Sequence, residues 1–230
     1  GGLIQKKDMA AAGIDLTGSP VFSEHESARA VILVQPETGQ RTIFWSRGSL
    51  PQLSAELWDD RWLLGIDLLY VDGHEPALSL VAADRARKKG LPVVMDAGSA
   101  REGSEELVAL CTDVISSSVF APQLTGLDDP LAALRELRSR GPQRVAMTFG
   151  SAGVLALGDP PFVVPAFKVE VLDTTGAGDV FHAGYAYSLA TGGEFERNLR
   201  FGSALAALKC AHWYDRGGLP LLEDVLEMMD

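Results

Sequence analysis

The sequence holds only two cysteines, Cys111 and Cys210, far apart and in no metal-ligand spacing. That excludes a disulfide framework and a cysteine-based zinc site. The pair reads as two inert free thiols in a reducing, cytoplasmic compartment. Aromatic residues are scarce at 7%, so Trp45, Trp58, Trp62 and Trp213 read as packing residues rather than stacking platforms for bases. Cations are outnumbered, 20 Lys and Arg against 31 Asp and Glu, a net charge of −11. A broad nucleic-acid or anionic-membrane surface is therefore not expected. Long apolar runs are missing too. The longest, around Leu63–Val71, is broken by Gly65 and Asp67 and falls short of the roughly 20 residues a spanning helix needs. No repeat, low-complexity tract or long linker divides the chain.

What is present suits a folded protein. Hydrophobic residues make up 47% and charged residues 22%, enough to build a core and too little charge for disorder. We read residues 1–230 as a single α/β domain. Leu3–Ala12 has a helical pattern stopped by Gly13. Two β-rich runs follow, Arg29–Val34 and Arg41–Trp45, with Pro36-Glu37-Thr38-Gly39 between them. This predicts a hairpin at about 29–46 that forms a small lid.

From Ile66 the pattern alternates. Strands are predicted at Ile66–Val71, Pro92–Met95, Asp113–Ile115 and Arg144–Thr148. Helices are predicted at Pro76–Lys89, Arg101–Leu110 and Pro130–Arg140. Uninterrupted apolar strands separated by helices imply an open, mostly parallel sheet with helices on both faces. Two short runs, Gly153–Leu157 and Phe162–Val164, predict an antiparallel pair at its edge. Helices over Val180–Ala190, Phe195–Cys210 and Leu221–Met229 close the chain. Ligands of such sheets bind beyond the carboxyl ends of the parallel strands. Asp72, Asp96, Ser116–Ser118 and Gly150 fall there. Asp72 and His74 are candidate substrate contacts, with helix capping the alternative for Asp72 and Asp96. Arg41, on the lid, is a third candidate, with a solvated arginine the alternative. His182 reads as facing the core or the nucleotide side rather than as catalytic.

The stretch that carries chemistry is Asp173-Thr174-Thr175-Gly176-Ala177-Gly178-Asp179, running into Val180-Phe181-His182-Ala183-Gly184. Small residues entering a helix let backbone N–H groups approach an anion, above all a phosphate. An acid inside an anion site would repel phosphate. Asp179 makes sense there as a base on a hydroxyl that attacks the phosphate, with a metal ion shielding the charges.

This string, with Thr148-Phe149-Gly150-Ser151-Ala152-Gly153 as a Thr-x-Gly-x-x-Gly loop, resembles the PfkB (ribokinase-like) carbohydrate kinases, and the likeness runs along nearly the whole chain. The resemblance implies an ATP-dependent sugar kinase with Asp179 as general base and the Gly176, Ala177 and Gly178 amides as an anion hole. It implies nucleotide contacts from Thr148, Gly150, Gly153 and Ser118. Asp173 and Thr175 match positions that ligate an activating monovalent cation such as K⁺, a role in fixing the loop being equally open. ATP and Mg²⁺ are the implied cofactors and a small sugar the implied partner, with neither nucleic acid nor membrane. The lid strands would also suit a homodimer clasp. Many members carry Asn-x-x-Glu after the third strand. Here Ser117 or Ser118 stands for the Asn and Phe120 or Ala121 for the Glu, so Mg²⁺ would be held through ATP and water rather than by protein ligands. Asp96-Ala97-Gly98 with Arg101 matches the family's Asp-x-Asn-x-x-Arg in part, with Gly98 in place of Asn. The serine, and Arg200–Cys210 followed by Gly217-Gly218, lean toward ketohexokinase-like members and a fructose-type ketose substrate. A nucleoside kinase and a non-catalytic binding protein are the alternatives. The family also begins with a strand and a Gly-Gly sugar signature, so roughly 60–80 residues are expected in front of Leu3.

Overall fold

The computed structural model describes residues 2–35, 41–212 and 219–230, and of Arg41 the backbone only. The Pro36–Gly39 turn, the Arg41 side chain, Trp213 and Gly217-Gly218 lie outside the described residues. Helix α1 (Gly2–Ala11) buries no side chain. Strands β1 (Arg29–Val34) and β2 (Arg41–Ser46) pair antiparallel, Val31 opposite Phe44 and Ala30 opposite Trp45. This is the expected antiparallel pairing of the two strands. Trp45 is a correction: it stands 72% exposed rather than packed, because the two strands form a sheet of their own and no described element covers their faces.

The main sheet has six strands in chain order: β3 (Leu69–Val71), β4 (Val93–Ala97), β5 (Asp113–Ser117), β6 (Arg144–Thr148), β7 (Val154–Ala156) and β8 (Phe162–Val164). The first four pair in parallel, and β7 and β8 add antiparallel at the edge. Between the parallel strands run α2 (Pro76–Lys88), α3 (Ser104–Leu110), α4 (Phe120–Thr125) and α5 (Pro130–Ser139). After β8 come α6 (Ala177–Ala190), α7 (Phe195–Cys210) and α8 (Leu222–Met229). Among the described residues no helix is long and apolar enough to cross a membrane.

Period-two alternation divides the core. Val93, Met95, Ala97, Val114, Val145 and Met147 pack with Ala83, Leu107, Leu134 and Leu137 on the α2–α5 side. Val94, Ile115 and Ala146 face Phe181, Tyr185 and Leu199 of α6 and α7. Each fully buried aliphatic side chain contributes roughly 1.5–3 kcal/mol. Asp113, on the second face, is wholly buried. Arg144 pairs with it at 2.6 Å, and the Tyr185 hydroxyl donates to it at 2.5 Å. Burial, then the Asp113 charge, pushes the Tyr185 phenol far above its usual range, so the group stays a donor.

Several element bounds differ from expectation. The first strand begins at Leu69, three residues later than the apolar pattern, because its ladder on β4 opens with Leu69 against Val93. Helix α3 begins at Ser104, after Gly103 takes a left-handed turn. Helix α4 was not anticipated: it is one and a half turns long and contains Pro122.

Candidate active site

Four turns meet at the carboxyl edge of the parallel strands. After β3, the Asp72 carboxylate accepts from the His74 amide at 2.9 Å, and the Arg101 guanidinium lies against the His74 ring, Nη1 3.0 Å from Nε2. Asp96 ends β4. After β5, the Ser117 hydroxyl donates to Gly98 O at 2.6 Å and accepts from the Val119 and Phe120 amides. Ser117 is thus absorbed in starting α4, while Ser118 is exposed. Phe120 and Ala121, the two positions of the absent Glu, are fully buried apolar residues. After β6, Thr148 Oγ1 lies 3.4 Å from Ser116 O, and Gly150–Ala152 form a 3₁₀ turn closed by Phe149 N donating to Gly153 O at 2.8 Å. Gly153 has φ +91°, and a Cβ there would lie 2.3 Å from Val164 O. That glycine is required by the turn itself, whatever else the loop binds.

Helix α6 points its N-terminus at this edge. Gly176, at φ +72°, caps it, so the helix opens at Ala177, three residues before the apolar pattern begins. The glycine loop therefore forms the first helical turn. Ala177 N–H closes a 3.2 Å turn on Thr174 O, and Val180 N–H donates to Gly176 O at 2.9 Å. Gly178, at the second helical position, has no intrahelical acceptor for its N–H by geometry, and the space where a Cβ would stand is open. Asp179 follows at the third position, exposed to solvent.

Residues on separate strands converge here. The Tyr70 hydroxyl donates to Asp96 at 3.0 Å. Burial, then the charges of Asp96, Asp179 and Asp72, pushes this phenol far above its usual range. One phenol feels all three carboxylates, so Asp72, Asp96 and Asp179 share a small region. His182, 4% exposed, is core-facing as expected. Its Nδ1 lies 2.7 Å from Gly178 O and 3.5 Å from Asp96, and its Nε2 3.1 Å from Ile115 O. The ring fixes the first turn of α6 over β4 and β5.

Asp173 sits one residue before the turn. It accepts from the Thr175 amide at 2.8 Å and from Lys209 Nζ at its carboxylate (3.2 Å) and its main-chain oxygen (2.9 Å). Burial pushes the Asp173 carboxyl up. The Thr175 bonds and the Lys209 ammonium outweigh that and hold it below the usual range. Two residues of this site escaped sequence reasoning. Tyr70 shares the strand face of Asp72 and offered only that parity as a signal. Lys209 looks like an ordinary cation in the last turn of a helix. Among the described residues, no three His, Cys, Asp or Glu side chains group as a metal cage.

Comparison with known proteins gives the family. The pfkB family carbohydrate kinase model matches residues 5–220. The chain is 26% identical to the ribokinase of Haemophilus influenzae over 238 residues, covering 100% of this chain and 78% of that protein. It is 27% identical to mouse ketohexokinase over 216 residues, covering 88% and 72%. The crystal structure of a putative ribokinase from Agrobacterium tumefaciens superposes with a TM-score of 0.88 at 30% identity, covering 97% of this chain and 74% of that one.

Proposed function

The chain belongs to the pfkB family of carbohydrate kinases, and on that premise we propose that it transfers the γ-phosphoryl group of ATP to a hydroxyl of a small sugar, with Asp179 as general base. The observation that carries this reading is Asp179 itself. It stands in the first turn of a glycine-capped helix, within electrostatic reach of the edge that holds Asp72, Asp96 and Tyr70.

In the proposed reaction the Asp179 carboxylate takes the proton of the sugar hydroxyl as its oxygen attacks the γ-phosphorus. The new O–P bond forms, the bond to the bridging oxygen breaks, and ADP leaves with the electron pair. Charge gathers on the equatorial phosphoryl oxygens, where the Gly176 and Gly178 amides and the α6 dipole suit it. Ala177 N–H would have to exchange its long turn bond to join them. Thr148, Gly150, Gly153 and Ser118 are assigned to the nucleotide, and Asp72, His74 and Arg41 to the sugar. Tyr70 and His182 hold Asp96 and the α6 turn in place. The carboxylates of Asp72, Asp96 and Asp179 suit Mg²⁺ that arrives on ATP, where it would neutralise phosphate charge. We assign β1 and β2 to a lid over the sugar and to a clasp with a second copy, because Val31, Leu33, Phe44 and Trp45 leave apolar surface on both faces. Cys111, its thiol pushed up to about 12 by burial, suits an inert residue of a cytoplasmic protein.

Replacing Asp179 by Asn tests the base. Turnover should fall by about 10²–10⁴ while calorimetry still detects ATP binding. Turnover within a few-fold of wild type would overturn the assignment.

A further inference from the structure

Beside the loop that enters α6 lies a buried charge that the mechanism above leaves unused. Lys209, near the end of α7, is 6% exposed, and its side chain and that of Asp173 are 8% and 16% exposed. An ammonium removed from water must be paired and hydrogen-bonded. Among the described residues its two oxygen partners both belong to Asp173, the main-chain carbonyl at 2.9 Å and the carboxylate at 3.2 Å. The same loop is strapped to the end of α7 by Leu172 N–H and Asp173 N–H, which donate to Cys210 O at 2.8 and 3.3 Å. Three residues further on, the chain caps α6 at Gly176.

A carbonyl and a carboxylate turned toward one point form the oxygen donor set of a hard cation. The resemblance gave Asp173 and Thr175 to such an ion, a monovalent metal. Thr175 Oγ1 is buried with no hydrogen-bond partner among the described residues, but the Asp173 oxygens do not fit that ion. Both Asp173 oxygens that would bind it already accept from an ammonium, and a potassium ion beside them would stand against a like charge in a poorly hydrated place.

We propose that the Lys209 ammonium is a built-in replacement for the monovalent cation, a positioning residue that holds the Asp173–Gly176 loop ready for phosphoryl transfer without any external monovalent metal. The role rests on the kinase reading above. It also makes sense of where the lysine lies: a fixed positive charge at the C-terminal turn of α7 favours that helix end and ties it to the start of α6, so loop and cation come from one chain.

The full-length protein is compared in KCl and in tetramethylammonium chloride at matched ionic strength, by thermal midpoint and by turnover of ATP with an accepted sugar. Wild type should show the same midpoint and a turnover equal within about twofold in the two salts, since the ammonium already occupies the Asp173 oxygens. Lys209→Ala should lose about tenfold or more in kcat with a smaller change in KM for ATP. Potassium or ammonium ions should then raise its midpoint and restore part of its turnover. Several-fold activation of wild type by K⁺, or a higher midpoint in KCl, would overturn the proposal. So would a Lys209→Ala protein with full turnover and no response to K⁺. If that variant does not fold, the wild-type comparison decides alone. Absence of transfer in every salt would count against the kinase reading, while the midpoints would still decide the cation question.

Discussion

Gly176 and Gly178 stand two residues apart in one loop and are glycine for different reasons. Gly176 holds φ +72°, where any Cβ is strained, and an added Cβ would come within 3.6 Å of the Asp179 carboxylate. Gly178 is helical, and a Cβ there meets nothing within 4 Å. Gly176→Ala should therefore lower stability by about 1–2 kcal/mol, while Gly178→Ala should be neutral or stabilising by up to ~1 kcal/mol. Urea unfolding of the two variants checks this, and equal losses would contradict the assigned backbone roles. At this scale, legibility depended on context. Asp179 could be singled out because a whole string of small residues surrounds it. Lys209 and Tyr70 could not, because their meaning lies in one tertiary approach each, to Asp173 and to Asp96. Nothing local marks a lysine in the last turn of a helix as a bound cation.

At the level of elements, the parallel strands were readable because their side chains alternate between two covered faces, and the helices between them because of their period and glycine stops. Their ends were less so. The apolar pattern cannot tell Ile66–Leu68 from strand, since pairing on β4 decides it, and it starts α6 at Val180 because glycine and alanine carry no periodic signal. Helix α4 is too short to show a period at all. One polar element is also hidden in the apolar pattern. Asp113 opens β5 as a buried acid, held by Arg144 of β6 and Tyr185 of α6. Removing its cation leaves a charge in the core. Arg144→Ala should cost about 3 kcal/mol, moderated by the partial exposure of the arginine, and Asp113→Asn in the same chain should cost less than the sum of the two single changes. Denaturant unfolding of the two single variants and the double variant reads this coupling. Strict additivity would mean that the pair is not coupled.

For the molecule as a whole, the division of labour follows the sheet. Helices α2–α5 complete one face, α6 and α7 the other, and, Arg41 of β2 aside, the residues assigned to chemistry lie at the carboxyl edge or on the loop and first turn of α6. The acidic balance, −11, is not spread evenly in its effects: Asp72, Asp96 and Asp179 concentrate negative charge at that edge. Such a site disfavours a bare phosphate anion and suits a nucleotide whose charge a cation shields. The measurement that tests this account most directly is product analysis of the full-length protein with Mg²⁺-ATP across ketoses, aldoses and nucleosides, by phosphorus NMR. The account predicts one sugar phosphate formed in equal amount with ADP, from at least one ketose or aldose. Phosphorylation of nucleosides alone, or ATP turnover with no phosphorylated sugar, would contradict it.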